Sequence, residues 1–110
     1  MNDHTTNILV VEDEPQIRRY LGAALLSEGF KVFEADTLQR GLIEAATRKP
    51  DLVILDLGLP DGHGQTFIEA LHKKNPNSLI LVISAWKTQD AILNTIEAGA
   101  TGYILKERDD

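Results

Sequence analysis

Five short apolar runs, Ile8–Val11, Val32–Ala35, Leu52–Leu55, Leu79–Ile83 and Tyr103–Leu105, are spaced along the chain so that one helix fits between each pair. Runs this rich in Val, Ile and Leu, with little polar alternation, predict strands buried on both faces of a parallel sheet. The intervening segments carry the longer period of helices. Pro15 suits a first helical turn, and Ile17, Leu21, Ala24 and Leu25 share a face up to Gly29, a residue that stops helices. Thr37 or Asp36 can cap a second helix with Leu38, Leu42 and Ala45 inward. A third helix carries Phe67, Ile68 and Leu71 before the Asn75-Pro76 break. A fourth runs from about Thr88 through Ala91, Ile92 and Ile96 to Gly99. This (βα)₄β alternation predicts right-handed crossovers with helices on both faces of the sheet. Lys31 flanks the second run and Glu34 interrupts it, which places that strand at an edge. The expected fold is therefore a flavodoxin-like, doubly wound, five-stranded parallel sheet of order 2-1-3-4-5, with its switch point between strands 1 and 3.

Those two strands are also the ones that end in acids. Glu12 and Asp13 close the first run, with Glu14 close behind, and Asp56 closes the third. A carboxylate just past a strand's end sits on the carboxyl edge, where open α/β sheets place their sites. Three such charges repel one another unless a cation neutralises them or a proton is held. Ser84 at the end of the fourth run and Lys106 at the end of the fifth add a hydroxyl and an ammonium to the same edge. Carboxylate oxygens suit Mg²⁺, a hard ion that keeps several waters and pairs with phosphate oxygens. Lysine supplies a point charge for an anion and serine a donor. Acids alone suggest a metal site; acids with Lys and Ser suggest metal-assisted phosphoryl chemistry.

The bulk properties narrow the choice further. A chain of 110 residues, 43% hydrophobic and 25% charged, fits a single globular domain with a real core. Its net charge of -6 argues against a direct nucleic-acid surface. No apolar run approaches a membrane span, and Met1-Asn2-Asp3-His4 lacks the basic and apolar regions of a signal peptide. The absence of cysteine excludes disulfides and thiolate zinc sites and accords with a cytoplasmic location. His4, His63 and His72 are scattered and form no ligand pattern, and Arg18-Arg19 and Lys73-Lys74 are expected on solvated helix surfaces.

The motifs Val10-Val11-Glu12-Asp13-Glu14-Pro15, Leu55-Asp56-Leu57-Gly58-Leu59-Pro60-Asp61-Gly62, Ile83-Ser84-Ala85 and Gly102-Tyr103-Ile104-Leu105-Lys106 together resemble the receiver domains of two-component response regulators. The resemblance covers almost the whole chain. Its first two thirds, notably 33–60, look like potassium-transport regulators of the OmpR class, and 96–107 look more like the NarL/FixJ class. The resemblance implies that Asp56 is the phosphoacceptor, attacking the phosphorus of a kinase phosphohistidine or a small acyl phosphate. It implies Asp13 as the direct Mg²⁺ ligand, Glu12 as its acidic neighbour often acting through water, and Gly58 as the donor of a backbone carbonyl to the metal. Lys106 matches the lysine that pairs with phosphoryl oxygens, Ser84 the switch hydroxyl, and Tyr103 the aromatic that turns inward after it. The implied partners are a sensor histidine kinase and a second copy of the chain in a homodimer, with control of transcription as the output of the full-length protein.

Three departures stand out. Glu107 follows Lys106 where most receivers have proline. Gly58 and Trp86 occupy variable positions flanking the site, which in the family tune hydrolysis. The sequence also stops at Asp110, so a fifth helix of about 11–12 residues is expected to be largely absent and one domain, 1–110, to be truncated before it. The flank of helix 1 and the side of strand 5 should then face water. Other readings fit less well. A flavodoxin-like cofactor binder needs a hydroxyl- and glycine-rich phosphate loop where Glu12-Asp13-Glu14-Pro15 stands. A hydrolase of the haloacid dehalogenase group needs an aspartate where Gly58 stands. The remaining alternative is a pseudo-receiver, a phosphorylation-independent interaction module.

Overall fold

The computed structural model describes residues 5–57, 62–85 and 88–106. Along the chain it forms β1 (Asn7–Val11), α1 (Pro15–Ser27), β2 (Lys31–Ala35), α2 (Leu38–Arg48), β3 (Leu52–Leu57), α3 (Gly62–Lys74), β4 (Leu79–Ser84), α4 (Gln89–Ala98) and β5 (Gly102–Leu105). All strands are parallel and lie in the order β2-β1-β3-β4-β5. The edge position of β2 and the switch point between β1 and β3 are as the sequence predicts. The expected strand ends differ by more than one residue in one place. Asp56 lies inside β3 rather than just past it, because β4 continues to Ser84 and offers partners to two more residues, Asp56 opposite Ile83 and Leu57 opposite Ser84.

Alternation along the buried strands divides the core into two layers. The larger joins Leu9, Val11, Val53, Leu55, Ile80 and Val82 of the sheet to Ala45 of α2 and Phe67, Ile68 and Leu71 of α3. The smaller joins Ile8, Val10 and Ile54 to half-buried Leu21 and Leu25 of α1, with Phe30, Val32, Leu52 and Ile83 around them. On this second face the cover is partial. Leu79 is 54% exposed and Ile104, which pairs with Ile83, is 49% exposed. The side of β4 and β5 turned towards α1 is thus open to water among the described residues.

The helix ends follow from local chemistry. Thr37 accepts a hydrogen bond from the Arg40 amide at 3.0 Å and Thr88 one from the Ala91 amide at 3.2 Å, which satisfies backbone donors that a helix start leaves unpaired. α1 begins instead with Pro15, whose missing N–H is no loss there. Gly99 closes α4 at φ 126°, and an added Cβ would lie 2.7 Å from the His72 ring, so both backbone conformation and α3–α4 packing demand glycine. α2 ends on Lys49 in the left-handed region (φ 46°), a conformation the sequence did not foretell.

Gly41, in the buried face of α2, lets that helix approach the sheet. A Cβ there would stand 3.0 Å from Val11 Cγ2 and 3.2 Å from the Phe67 ring, both fully packed. Gly41→Ala improves helix propensity by about 1 kcal/mol, whereas overpacking a rigid core costs about 1–3 kcal/mol. The clash should win. Urea denaturation is expected to give a net loss of roughly 1 kcal/mol; a stabilised variant would contradict this packing.

Candidate functional site

The carboxyl edge gathers residues from four strand ends. Glu12 and Asp13 leave β1, Asp56 stands in the last turn of the β3 ladder, Ser84 closes β4, and Lys106 follows β5. The Lys106 amide donates to the Ser84 carbonyl at 2.8 Å, so pairing of β5 with β4 carries the lysine to the edge beside the serine. Its ammonium forms an ion pair with Asp56 Oδ1. The Asp56 side chain is 2% exposed and that of Lys106 30%, so the lysine enters from the rim to meet a buried charge. That oxygen makes no further hydrogen bond among the described residues, and the contact is charge neutralisation more than directed bonding. Removing one member of such a pair is costly because the other charge stays buried.

Glu12 is the second buried acid, 3% exposed, and its Oε2 has no hydrogen-bond partner among the described residues. Its carboxyl is pushed up from 4.5 to about 7. Burial is the main cause, the charges of Asp56 and Asp13 add to it, and Lys106 and the Asp13 backbone N–H oppose it. Asp13 itself lies exposed at the rim. No three carboxylates or histidines among the described residues stand close enough to form a closed metal cage. What exists is a partial set of oxygen donors with surplus negative charge. That suits a hard ion which retains waters, such as Mg²⁺, better than one that needs a complete protein cage. The unpaired Glu12 oxygen is the group such a cation would relieve.

Ser84 is buried at the end of β4, level with Leu105 of β5. Tyr103, level with Val82, is half-buried and packs against the larger core layer. Gly58, Trp86 and Glu107 lie outside the described residues. A cavity of about 450 Å³ lies elsewhere, lined by Lys49, Asp51, Lys74, Asn75 and Ser78 near the amino ends of β3 and β4. It shares none of these residues.

Arg18 departs from its expected place on a solvated helix surface. Its Nη1 donates to the Glu12 carbonyl at 2.9 Å and its Nε to Glu34 Oε1 on β2 at 3.2 Å. A cation near a helix start opposes the macrodipole. Its presence three residues after Pro15 was the available signal that Arg18 serves something other than the helix.

The raised Glu12 value has a consequence for stability. In the fold the protonated form is favoured, so the native state holds a proton that the unfolded chain releases near 4.5. Stability is therefore present below that value and lost as pH rises through about 7. At 1.36 kcal/mol per unit the full loss is on the order of 3 kcal/mol. Urea denaturation at several pH values between these limits should show a fall for the wild type that Glu12→Gln flattens, with the variant the more stable at alkaline pH. Parallel profiles would show that Glu12 is not held protonated.

Three comparisons bear on this geometry. The family described as the response regulator receiver domain matches residues 8–110. The chain is 54% identical over 101 residues to the KDP operon transcriptional regulatory protein KdpE of Escherichia coli (strain K12), covering 92% of this chain and 44% of that protein. The chain thus spans less than half the length of that relative. Among solved structures, a CheY-like receiver domain protein from Methanospirillum hungatei superimposes with a TM-score of 0.87 at 27% identity, over 96% of this chain and 85% of that one. The response regulator TrrA from Thermotoga maritima, solved in complex with Mg(2+)-BeF, gives 0.80 at 30% identity over 96% and 90%. A family match across nearly the whole length, with a fold and strand order to accompany it, leads to one conclusion: the chain belongs to the response regulator receiver domain family.

Proposed function

We propose that this chain is the receiver of a two-component system, in which Asp56 accepts a phosphoryl group from the phosphohistidine of a sensor histidine kinase or from a small acyl phosphate. The observation that carries the reading is the pairing of the buried Asp56 carboxylate with Lys106 beside a second buried acid, Glu12. A purely structural aspartate would be served by Lys106 alone, and Glu12 beside it adds only repulsion. A nucleophile that must become a dianionic acyl phosphate uses the cation already in place to neutralise the charge that develops.

In the proposed reaction an Asp56 carboxylate oxygen forms a bond to phosphorus while the bond to the donor's imidazole nitrogen, or to its acyl oxygen, breaks in line. Lys106 shifts its ammonium from the carboxylate to the phosphoryl oxygens, and Ser84 supplies the hydroxyl that meets another of them. Glu12, Asp13, Asp56 and the Gly58 carbonyl would hold Mg²⁺, which when bound neutralises the equatorial oxygens of the transferred group. Tyr103, half-buried on β5 next to the strand that ends in Ser84, is the aromatic proposed to move inward once the serine has moved. The chain catalyses only its own phosphorylation and dephosphorylation, so we read it as a signalling switch and not as an enzyme with turnover. Its output, control of transcription, is extended from relatives such as the transcriptional regulatory protein KdpE, of which it spans 44%; a homodimer and a cytoplasmic location are further parts of this proposal. One receiver domain over 1–110 is the accompanying domain reading. No helix among the described residues is long and apolar enough to cross a membrane.

Acetyl phosphate with Mg²⁺ should add one phosphoryl group per chain, labile to hydroxylamine as an acyl phosphate must be. Asp56→Asn should abolish labelling and leave the fold intact, because the amide is a poor nucleophile. Undiminished labelling of that variant would sink the assignment. A wild type that takes no phosphoryl group would turn the choice to a phosphorylation-independent interaction module.

A further inference from the structure

We propose that Arg18 is a positioning residue: by linking the Glu12 carbonyl to Glu34 on the edge strand, it fixes the Glu12–Asp13 peptide plane and so presents both acids to Mg²⁺. The inference rests on the metal reading above and concerns residues which that reading does not use.

Both backbone polar groups of Glu12 are tied down. Its amide donates to the Ala35 carbonyl at 3.0 Å, and its carbonyl accepts from Arg18 Nη1 at 2.9 Å. Arg18 is in turn anchored by Glu34 Oε1 at 3.2 Å, so β2 holds the turn twice, once directly and once through the guanidinium. The peptide unit is planar and trans, so its C=O and N–H point in opposite directions. Holding the Glu12 carbonyl from the α1 side therefore aims the Asp13 N–H the other way, towards the Glu12 carboxylate whose negative charge it favours. Asp13, exposed at the rim, depends on that plane for its placement.

An ordinary exposed ion pair contributes about 0–1 kcal/mol and would explain nothing here. Three features separate this one. The Arg18 side chain is only 18% exposed. The carbonyl it serves belongs to a buried site residue. Its partner also lies against the helix: a Cβ on Gly22, one turn further along α1, would stand 2.9 Å from Glu34 Oε2. The fork of the guanidinium matters as well, since one planar group serves two acceptors on two elements and a lysine ammonium would have to choose.

The test is Mg²⁺ affinity without any phosphodonor, followed by backbone amide chemical shifts, alongside the acetyl phosphate labelling rate at saturating Mg²⁺. Outer-shell partners of metal ligands typically contribute 10–100-fold in affinity, and the carbonyl contact is indirect, so Arg18→Ala should weaken binding roughly tenfold. Its labelling rate at saturating Mg²⁺ should match the wild type, a split that general loss of structure would not give. Arg18→Lys and Glu34→Gln, which keep volume and fold if the alanine variant does not, should weaken binding in the same direction. Arg19→Ala, on the same helix without these contacts, should bind as the wild type does. Unchanged affinity in Arg18→Lys and Glu34→Gln, against a wild type that binds, would overturn the proposal alone. A wild type that binds no Mg²⁺ would overturn the metal reading and this inference with it.

Discussion

Two acids that would rather be in water are buried next to each other at the carboxyl ends of β1 and β3, and the rest of this site is arranged around that conflict. Glu12 and Asp56 are both almost inaccessible, and the charge of Asp56 makes that of Glu12 harder to hold. One is met by Lys106; the other is left with an unpaired oxygen and an affinity for a proton raised to about 7. Burial of unpaired charge is among the least favourable things a fold can do. Under the proposed function, its persistence is the cost in stability of a site that would bind a cation and accept a phosphoryl group.

The fold sets up this conflict through topology more than through any single contact. Placing β1 and β3 side by side, at the point where the strand order reverses, brings acids from distant parts of the sequence together. Extending the β3–β4 ladder to Leu57 and Ser84 fixes Asp56 within regular structure, so its side chain rests on a rigid strand and not on a loop. β5 is short and half-exposed, yet its pairing with β4 determines where Lys106 falls. The layer on the α2 and α3 side is densely packed, while the face shared by α1, β4 and β5 is thinly covered among the described residues.

Much of this was legible in the residues. Apolar runs located all five strands to within two residues, and Thr37, Thr88, Gly29 and Gly99 marked helix ends because their chemistry suits few other positions. The acids, Ser84 and Lys106 could be assigned to one edge because each closes a strand. Other features depended on three dimensions. An apolar run ends at an acid, whereas β3 continues through Asp56 because β4 supplies pairing partners there. Arg18 read as solvated surface because an arginine's stem conceals its reach, and only the position of Glu34 on the neighbouring strand reveals its use. Lys49 adopts a left-handed cap that favours glycine, which no pattern of side chains announces.

The central claim is that surplus negative charge at the carboxyl edge is waiting for a divalent cation. Thermal melting at neutral pH, with millimolar Mg²⁺ and with NaCl of the same ionic strength, tests it most directly. A cation that binds the folded state alone stabilises it by mass action, and for a domain of this size a tenfold excess over the dissociation constant corresponds to a rise of about 5 °C or more. The account predicts that rise with Mg²⁺ and not with the matched NaCl. Identical melting temperatures in the two salts would contradict it.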